Sequence, residues 1–391
     1  MSSRKYTVGG VEMPRPFKMR RLGHVGITLA DLGAARRFYV EQLGFRVTDE
    51  LILEPGEPPL GFFTSHGTDH HSLACIDARF VGSDPFYEAG VTINQVSFQV
   101  GTLEEVVRGH AYFEELGLKV WRVGRDSPGS NWAVYVQDPD GHSMELYYGM
   151  EQIGWDRRSK PLSARIVTSE APDLPQPSER EELAAVEAAG KSLEGGFRPE
   201  EPLPYAFDVG GVRLQRPFKV NRIGPVYLFV KDVEKSLNFY LGMMGLEVTE
   251  RVDWNGHRAA YLRCGSDHHV IALIPEAARA GLGRSGNNTT LAIGVEVGSY
   301  KQLRDARAHL MKLGLSPAPA LPWQLHPGIE HAVFFMDTAG TTVMLYSGME
   351  QVGWDGRPRP ASLRVPIVDD WPEVLASSDT YAGQISLGPL A

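Results

Sequence analysis

The sequence predicts an α+β fold made of four βαβββ modules in two tandem domains, and three observations carry that expectation. The first is a duplication. Val8-Gly9-Gly10-Val11 through Arg15-Pro16-Phe17-Lys18 returns as Val209-Gly210-Gly211-Val212 through Arg216-Pro217-Phe218-Lys219. GHVGITLADLGAARRFYVEQLGFRVT (Gly23 to Thr48) returns as GPVYLFVKDVEKSLNFYLGMMGLEVT (Gly224 to Thr249), an offset of about 200 residues. The second is a finer repeat inside each half. An apolar-Gly-apolar helix end recurs at Gly44, Gly117, Gly245 and Gly314, lying 20, 22, 20 and 22 residues after His24, Gln95, Pro225 and Ala292. Glycine there suits the left-handed conformation that closes helices. The third is periodicity: each repeat opens with an alternating strand, continues through an amphipathic helix, and ends in short strands with turn signals.

Taken in order, residues 1–19 read as an N-terminal arm, 20–158 as the first domain, 159–206 as a linker, 207–360 as the second domain and 361–391 as a tail. In the first helix Asp31 is a cap candidate, and Ala34, Phe38 and Leu43 contribute an apolar face. In the second, Thr102 is the cap candidate and Val106, Tyr112 and Phe113 face inward. From Asn131 to Asp156 an alternating strand turns at Asp138-Pro139-Asp140-Gly141 and returns with Glu145 among Met144, Leu146 and Tyr147. A charge in that apolar run needs a partner. The copy of this stretch carries Met344 in its place. Within the linker, SEREELAAVEAAGKSLEGG reads as an exposed helix on a surface arm.

Composition narrows the function classes. A net charge of −9, with Lys and Arg scattered, provides no basic face for nucleic acid. Cys75 and Cys264 make neither a disulfide framework nor a CxxC zinc pair, and Cys75 reads as a small buried hydrophobe. With no signal-peptide core and no run of membrane-spanning length, the expectation is a soluble cytoplasmic protein.

If two modules relate by a pseudo-twofold axis, His24 and Gln95 face each other from their first strands while Glu145 projects from the last strand. Three nitrogen and oxygen donors would then converge beside a cavity, leaving open positions on a metal as in a facial triad. Asp69-His70-His71 recurs as Asp267-His268-His269, which fits an inherited structural motif as well as chemistry. Tyr135, matched by Phe334 in the copy, reads equally as a core aromatic; His142 reads as a turn-exposed side chain. Trp155 and Trp354 read as anchors for the duplicated GWD tails.

These residues resemble the vicinal oxygen chelate superfamily, and the duplicated form is similar to two-domain type I extradiol ring-cleavage dioxygenases. The resemblance covers both halves and leaves out the linker and tail. It implies a metal set of His24, Gln95 and Glu145 for Fe(II), with Mn(II) or another divalent metal as the alternative. It further implies an acid/base role for His71 with His70 as its structural neighbour, and a substrate- or oxygen-facing hydroxyl on Tyr135, ten residues before Glu145. A small catecholic or related aromatic substrate, O2 and a homo-oligomeric state follow as expectations. Two departures stand out. The familiar enzymes hold iron in the C-terminal domain, where Pro225, Ala292 and Met344 here replace all three ligands, and Gln95 stands where the family has histidine. A glyoxalase-like isomerase, epimerase or lyase is the second enzymatic expectation, and a metal-free binder of aromatic ligands the non-enzymatic one.

Overall fold

A computed structural model describes residues 4–54, 56–81, 91–154, 156–199, 203–284, 288–353, 355–364 and 371–375. The chain divides into two compact units. The first holds Met1–Gly33, Phe45–Glu201 and Met243–Gly245; the second holds Ala34–Gly44, Pro202–Gly242 and Leu246–Ala391.

The first module begins after a small hairpin, in which Gly9 and Gly10 take positive φ between β1 (Tyr6–Val8) and β2 (Val11–Met13). Its elements are β3 (Arg21–Leu29), α1 (Leu32–Ala35) continued by a π-helical segment (Arg36–Gln42), then β4 (Arg46–Leu51), β5 (Gly61–Ser65) and β6 (Leu73–Asp77). A short α2 (Ala78–Val81) follows. The second module runs β7 (Ile93–Gln99), α3 (Leu103–Glu115), β8 (Val120–Arg125), β9 (Trp132–Gln137) and β10 (Ser143–Tyr148). All eight module strands join one sheet in the order β4-β5-β6-β3-β7-β10-β9-β8, with the two first strands adjacent and antiparallel at its centre.

Local chemistry decides which face of this sheet carries the site. Thr102 caps α3 by accepting from the Glu105 N–H at 3.3 Å, and Val106, Gly109 and Phe113 form its buried stripe. A Cβ at Gly109 would lie 3.3 Å from both Leu146 and Phe17, so glycine lets the helix settle closely on β10. Because strand side chains alternate, Leu146 and Met144 share the helix side while Glu145 and Tyr147 take the opposite face. The linker helix α4 (Glu179–Ala188) has a reciprocal Ser178–Glu181 capping box. It is more than a loose arm: buried Glu182 pairs with Arg125 at the end of β8, at 2.5 and 3.0 Å.

The second unit repeats the plan with β11 (Phe207–Val209), β12 (Val212–Leu214), β13 (Val220–Val230) and α5 (Val233–Leu237), the last continued by a π-helical segment (Asn238–Met244). Next come β14 (Glu247–Trp254), β15 (His257–Arg263), β16 (Ile271–Pro275), β17 (Thr290–Val297), α6 (Tyr300–Lys312), β18 (Ala332–Met336) and β19 (Thr342–Tyr346). Its sheet has seven strands, β14-β15-β16-β13-β17-β19-β18. The fourth module is therefore βαββ, correcting the expected βαβββ. The reason lies between Leu315 and Leu325, where Pro317, Pro319 and Pro322 remove ladder donors. Of that ladder, the Ala318 N–H still donates to Phe334 O at 2.7 Å.

Gly44, Gly117, Gly245 and Gly314 all have positive φ, as their place after each helix requires. Cys75 is fully buried, and the two cysteines are not joined in a disulfide. Among the described residues no helix is long and apolar enough to cross a membrane. Trp155 and Trp354 lie outside the described residues.

Candidate metal centre

The register across the middle of the first sheet fixes which side chains meet. Antiparallel β3 and β7 pair His24 with Ser97 and Gly26 with Gln95, with register shifts on either side. Parallel β7 and β10 pair Ser97 with Glu145, and antiparallel β10 and β9 pair Glu145 with Tyr135. The residue directly opposite His24 is thus Ser97. This corrects the expectation that His24 and Gln95 face each other: an irregularity at Leu22/His24 and another at Gly26/Ile27 displace the strands from strict twofold register.

The predicted donors nevertheless come together. His24 and Glu145 are both completely buried, and His24 Nε2 lies 2.8 Å from Glu145 Oε2. Ser97 Oγ and Gln95 Nε2 donate to the same oxygen, the latter at 3.2 Å, and Asn131 Nδ2 donates to Oε1 at 2.8 Å. Despite its proximity to the carboxylate, neither ring nitrogen of His24 makes a hydrogen bond. A buried polar atom without a partner costs about 1–3 kcal/mol. An imidazole nitrogen and a carboxylate oxygen that are close but not aligned for a mutual hydrogen bond are disposed as two ligands of one ion.

By its chemistry this donor set could hold a divalent cation, with His24 and Glu145 as the strong donors and Gln95 as a neutral one. Gln95 presents its amide N–H to the carboxylate and so also steadies Glu145. Among the described residues no group of three or more His, Cys, Asp or Glu side chains is arranged to hold a metal.

His71 stands beside this cluster, its ring centroid 4.4 Å from that of His24. Burial, with His24 and His70 close by, holds its imidazole well below the ordinary histidine range, so it is neutral at pH 7. His70 is entirely buried behind it, with the two Nδ1 atoms 3.1 Å apart. Tyr135 points its hydroxyl at Asp126, donating to Oδ2 at 2.5 Å, and Asp126 is also paired with Arg122. Burial and the neighbouring Asp126 and Glu145 carboxylates push this phenol well above its usual range. His142, expected to be exposed, is buried and sits with Nδ1 2.9 Å from Asp138 Oδ2. The same Asp138 accepts the Asp140 and His142 N–H groups at 2.9 and 2.8 Å, so the turn closes on its own histidine.

The sequence of each half matches one profile, that of the Glyoxalase/Bleomycin resistance protein/Dioxygenase superfamily, over residues 21–146 and 222–345. The chain belongs to this superfamily. The vicinal oxygen chelate resemblance read from the motifs is thereby borne out. Among curated relatives, a 2,2',3-trihydroxybiphenyl dioxygenase of Sphingomonas paucimobilis is 26% identical over 34% of this chain and 42% of its own length. A metapyrocatechase 2 of Cupriavidus necator is 29% identical over 34% of this chain and 38% of its own length. The matches thus span less than half of these two relatives. Among solved structures, a homoprotocatechuate 2,3-dioxygenase from Arthrobacter globiformis has a TM-score of 0.54 at 18% identity, covering 87% of this chain and 84% of that one. An Mn(II)-bound glyoxalase from Novosphingobium aromaticivorans has a TM-score of 0.54 at 16% identity, covering 87% of this chain and 85% of that one. At these identities the likeness establishes the superfamily's fold.

Within this superfamily fold the second unit shows what the same sheet face becomes without polar donors. The row now pairs Gly294 with Met344 and Met344 with Phe334. Met344 and Phe334 join Tyr227, Tyr261, Leu325 and Ile329 in a continuous apolar core. Tyr227 takes the register position of Gly26, since each pairs with the corresponding alanine, Ala272 or Ala74. Its hydroxyl lies 2.9 Å from His269 Nε2.

Sequence reasoning missed Ser97 and Asn131. Ser97 could have been found from the two-residue strand period, which places it on the face of Gln95. Asn131 enters from the loop before β9, and no spacing rule points to it.

Proposed function

We propose that the first unit is an extradiol-type ring-cleaving dioxygenase acting on a catecholic or related small aromatic substrate, with Fe(II) as its metal and O2 as co-substrate. The observation that carries this reading is the buried His24–Glu145 pair, close together with both His24 nitrogens free of hydrogen bonds. The names of the curated relatives support the substrate class. His24 and Glu145 would hold the metal and Gln95 would complete the set. Bound there, the metal would acidify a phenolic hydroxyl and bring both reactants together.

The chain's own residues supply the rest. Ser97 and Asn131 fix both oxygens of Glu145, so the carboxylate keeps its orientation. Gly26 carries no side chain where the second unit has Tyr227 against His269, the counterpart of His71. Neutral His71 can accept the proton of the substrate's second hydroxyl. Tyr135, engaged by Asp126, contributes by shaping the wall.

The test is O2 uptake with a panel of catechols by Fe(II)-reconstituted protein. Metal-dependent uptake with ring-cleaved product is expected, falling at least a hundredfold in Glu145→Gln. One observation favours a second reading: the third donor is a neutral amide. A glyoxalase-like isomerase or lyase on this site would show metal-dependent proton exchange next to a carbonyl, with no O2 uptake, and that result would replace the dioxygenase reading.

A further inference from the structure

In the first unit, His71 is the end of a chain of buried polar groups that begins at Arg165, in the segment after the GMEQ tail. Arg165 donates to Asp49 Oδ2, which also accepts from Ser159 Oγ at 3.1 Å. A second donation from Arg165, Nε to Lys160 O at 2.9 Å, fixes the guanidinium in place. On its other side Asp49 Oδ2 faces His70 Nε2 at 3.4 Å, and His70 Nδ1 faces His71 Nδ1 at 3.1 Å. His71 Nε2 has no hydrogen-bond partner among the described residues.

The direction of each bond follows from the group before it. Arg165 only donates, so Asp49 is an ionised acceptor. His70 Nε2 must then carry the proton it gives to Asp49. A His70 ring whose single proton is the Nε2–H given to Asp49 has a lone pair on Nδ1. His71 Nδ1 must therefore be the N–H that fills it. His71 Nε2 is left as the lone-pair nitrogen.

The second unit repeats the chain. Arg364 donates to Glu250 at 3.1 and 2.6 Å, His268 Nε2 lies 3.1 Å from Glu250, and the His268 and His269 Nδ1 atoms are 3.0 Å apart. There the terminal Nε2 meets the Tyr227 hydroxyl at 2.9 Å. Burial holds that phenol well above its ordinary range, so it keeps its proton and is able to donate to a lone pair on that nitrogen. The two chains are equivalent link by link, and in the second the terminal nitrogen has a hydroxyl partner.

We propose that Arg165 and Asp49 are positioning residues which, through His70, fix His71 as the Nδ1–H tautomer and present Nε2 to the site as a proton acceptor. The proposal rests on the acid/base reading of His71 and extends it to residues that touch neither substrate nor metal. Asp49 and Arg165 stand 116 positions apart, which ties the tail segment to the chemistry of the sheet.

The deciding measurement is ¹⁵N NMR of the imidazole nitrogens in the full-length, metal-free protein labelled at histidine, with His70 and His71 assigned by single substitution. His71 is expected with its proton on Nδ1 and His70 with its proton on Nε2. In Arg165→Gln the Asp49 carboxylate loses the donor that orients it toward His70, and His71 is expected to lose its single tautomer and to populate Nε2–H. Arg165→Lys keeps the cation and restores the original tautomer, which a purely structural role for arginine would not do. If Arg165→Gln does not fold, Asp49→Asn, which removes the ionised acceptor, is expected to leave His71 as a mixture of tautomers. An Nε2–H His71 in the unaltered protein, or a His71 tautomer indifferent to the substitution measured, overturns the proposal. The tautomer is read without substrate, so it stands or falls separately from ring cleavage. Should cleavage be found, Arg165→Gln is expected to lower kcat at least tenfold with KM held within twofold.

Discussion

His24 Nε2 and Glu145 Oε2 lie 2.8 Å apart at zero exposure, yet His24 forms no hydrogen bond through either nitrogen. The other neighbours of the carboxylate, Ser97, Gln95 and Asn131, do form hydrogen bonds, so the misalignment is specific to the imidazole. Glu145 is thus held by donors on its flanks and left open toward His24. The repeat explains how such a site can exist: in the second unit the same face is closed by Tyr227, Phe334 and Met344, and the fold persists. The polar cluster around Glu145 is an interruption of a core that the architecture can complete with apolar side chains.

Removing the carboxylate should therefore separate metal binding from folding. A divalent ion at about one hundred times its Kd stabilises the folded state by about 2.7 kcal/mol. Added Mn(II) or Fe(II) is expected to raise the Tm of the unaltered protein under anaerobic conditions. In Glu145→Gln and His24→Ala that increment should vanish while each variant still unfolds cooperatively. Equal increments in all three proteins would place the ion elsewhere.

On the proposed ligand set, Gln95 would limit the strength of the site. Its neutral amide is a weaker donor than imidazole, and here it also donates to Glu145. Gln95→His would supply a third strong ligand from the same strand face. Calorimetric titration with Mn(II) or Co(II) is expected to show at least tenfold tighter binding. Unchanged affinity would mean that position 95 does not reach the ion.

Gly26 leaves no room for a side chain beside Gln95. A Cβ there would lie 2.9 Å from both Gln95 Cγ and Asn94 Oδ1, so even alanine forces those side chains aside. Gly26→Ala should destabilise the protein by about 1–3 kcal/mol through overpacking. It should also weaken metal binding by displacing Gln95. Denaturant unfolding and metal titration of the one variant check both effects.

How much of this was legible in the sequence depended on the kind of signal. Glu145 announced itself as a charge between Met144 and Leu146, and its replacement by Met344 marked which unit could bind metal. The helix ends were equally clear, because Gly44, Gly117, Gly245 and Gly314 are needed for a backbone conformation. The pairing of His24 with Ser97 was not legible, since strand irregularities leave no mark on an alternating pattern. Nor was the burial of His142, which depends on Asp138 folding back within one turn. The lost strand of the fourth module was written in Pro317, Pro319 and Pro322, but the repeat masked it. Arg165 lies outside every repeat-defined strand, and its link to Asp49 exists only after folding.

His331 offers a test of the second unit through pH. It is buried, and burial with Arg359 nearby lowers its pKa to about 4. In the unfolded chain a histidine titrates near ~6.5. The folded state therefore binds fewer protons than the unfolded state between these values, and stability falls as pH drops through that window. The contribution is complete above ~6.5, declines with acidification, and has gone once the pH is below about 4. Its upper bound is about 3 kcal/mol. His331→Gln removes the titrating group, so the loss of unfolding free energy between neutral pH and pH 4 should shrink by up to that amount. Other buried histidines, among them His269 and His326, titrate in both proteins and cancel in the difference. Identical pH slopes for the two proteins would show that His331 is as free to protonate in the native state as in the unfolded one.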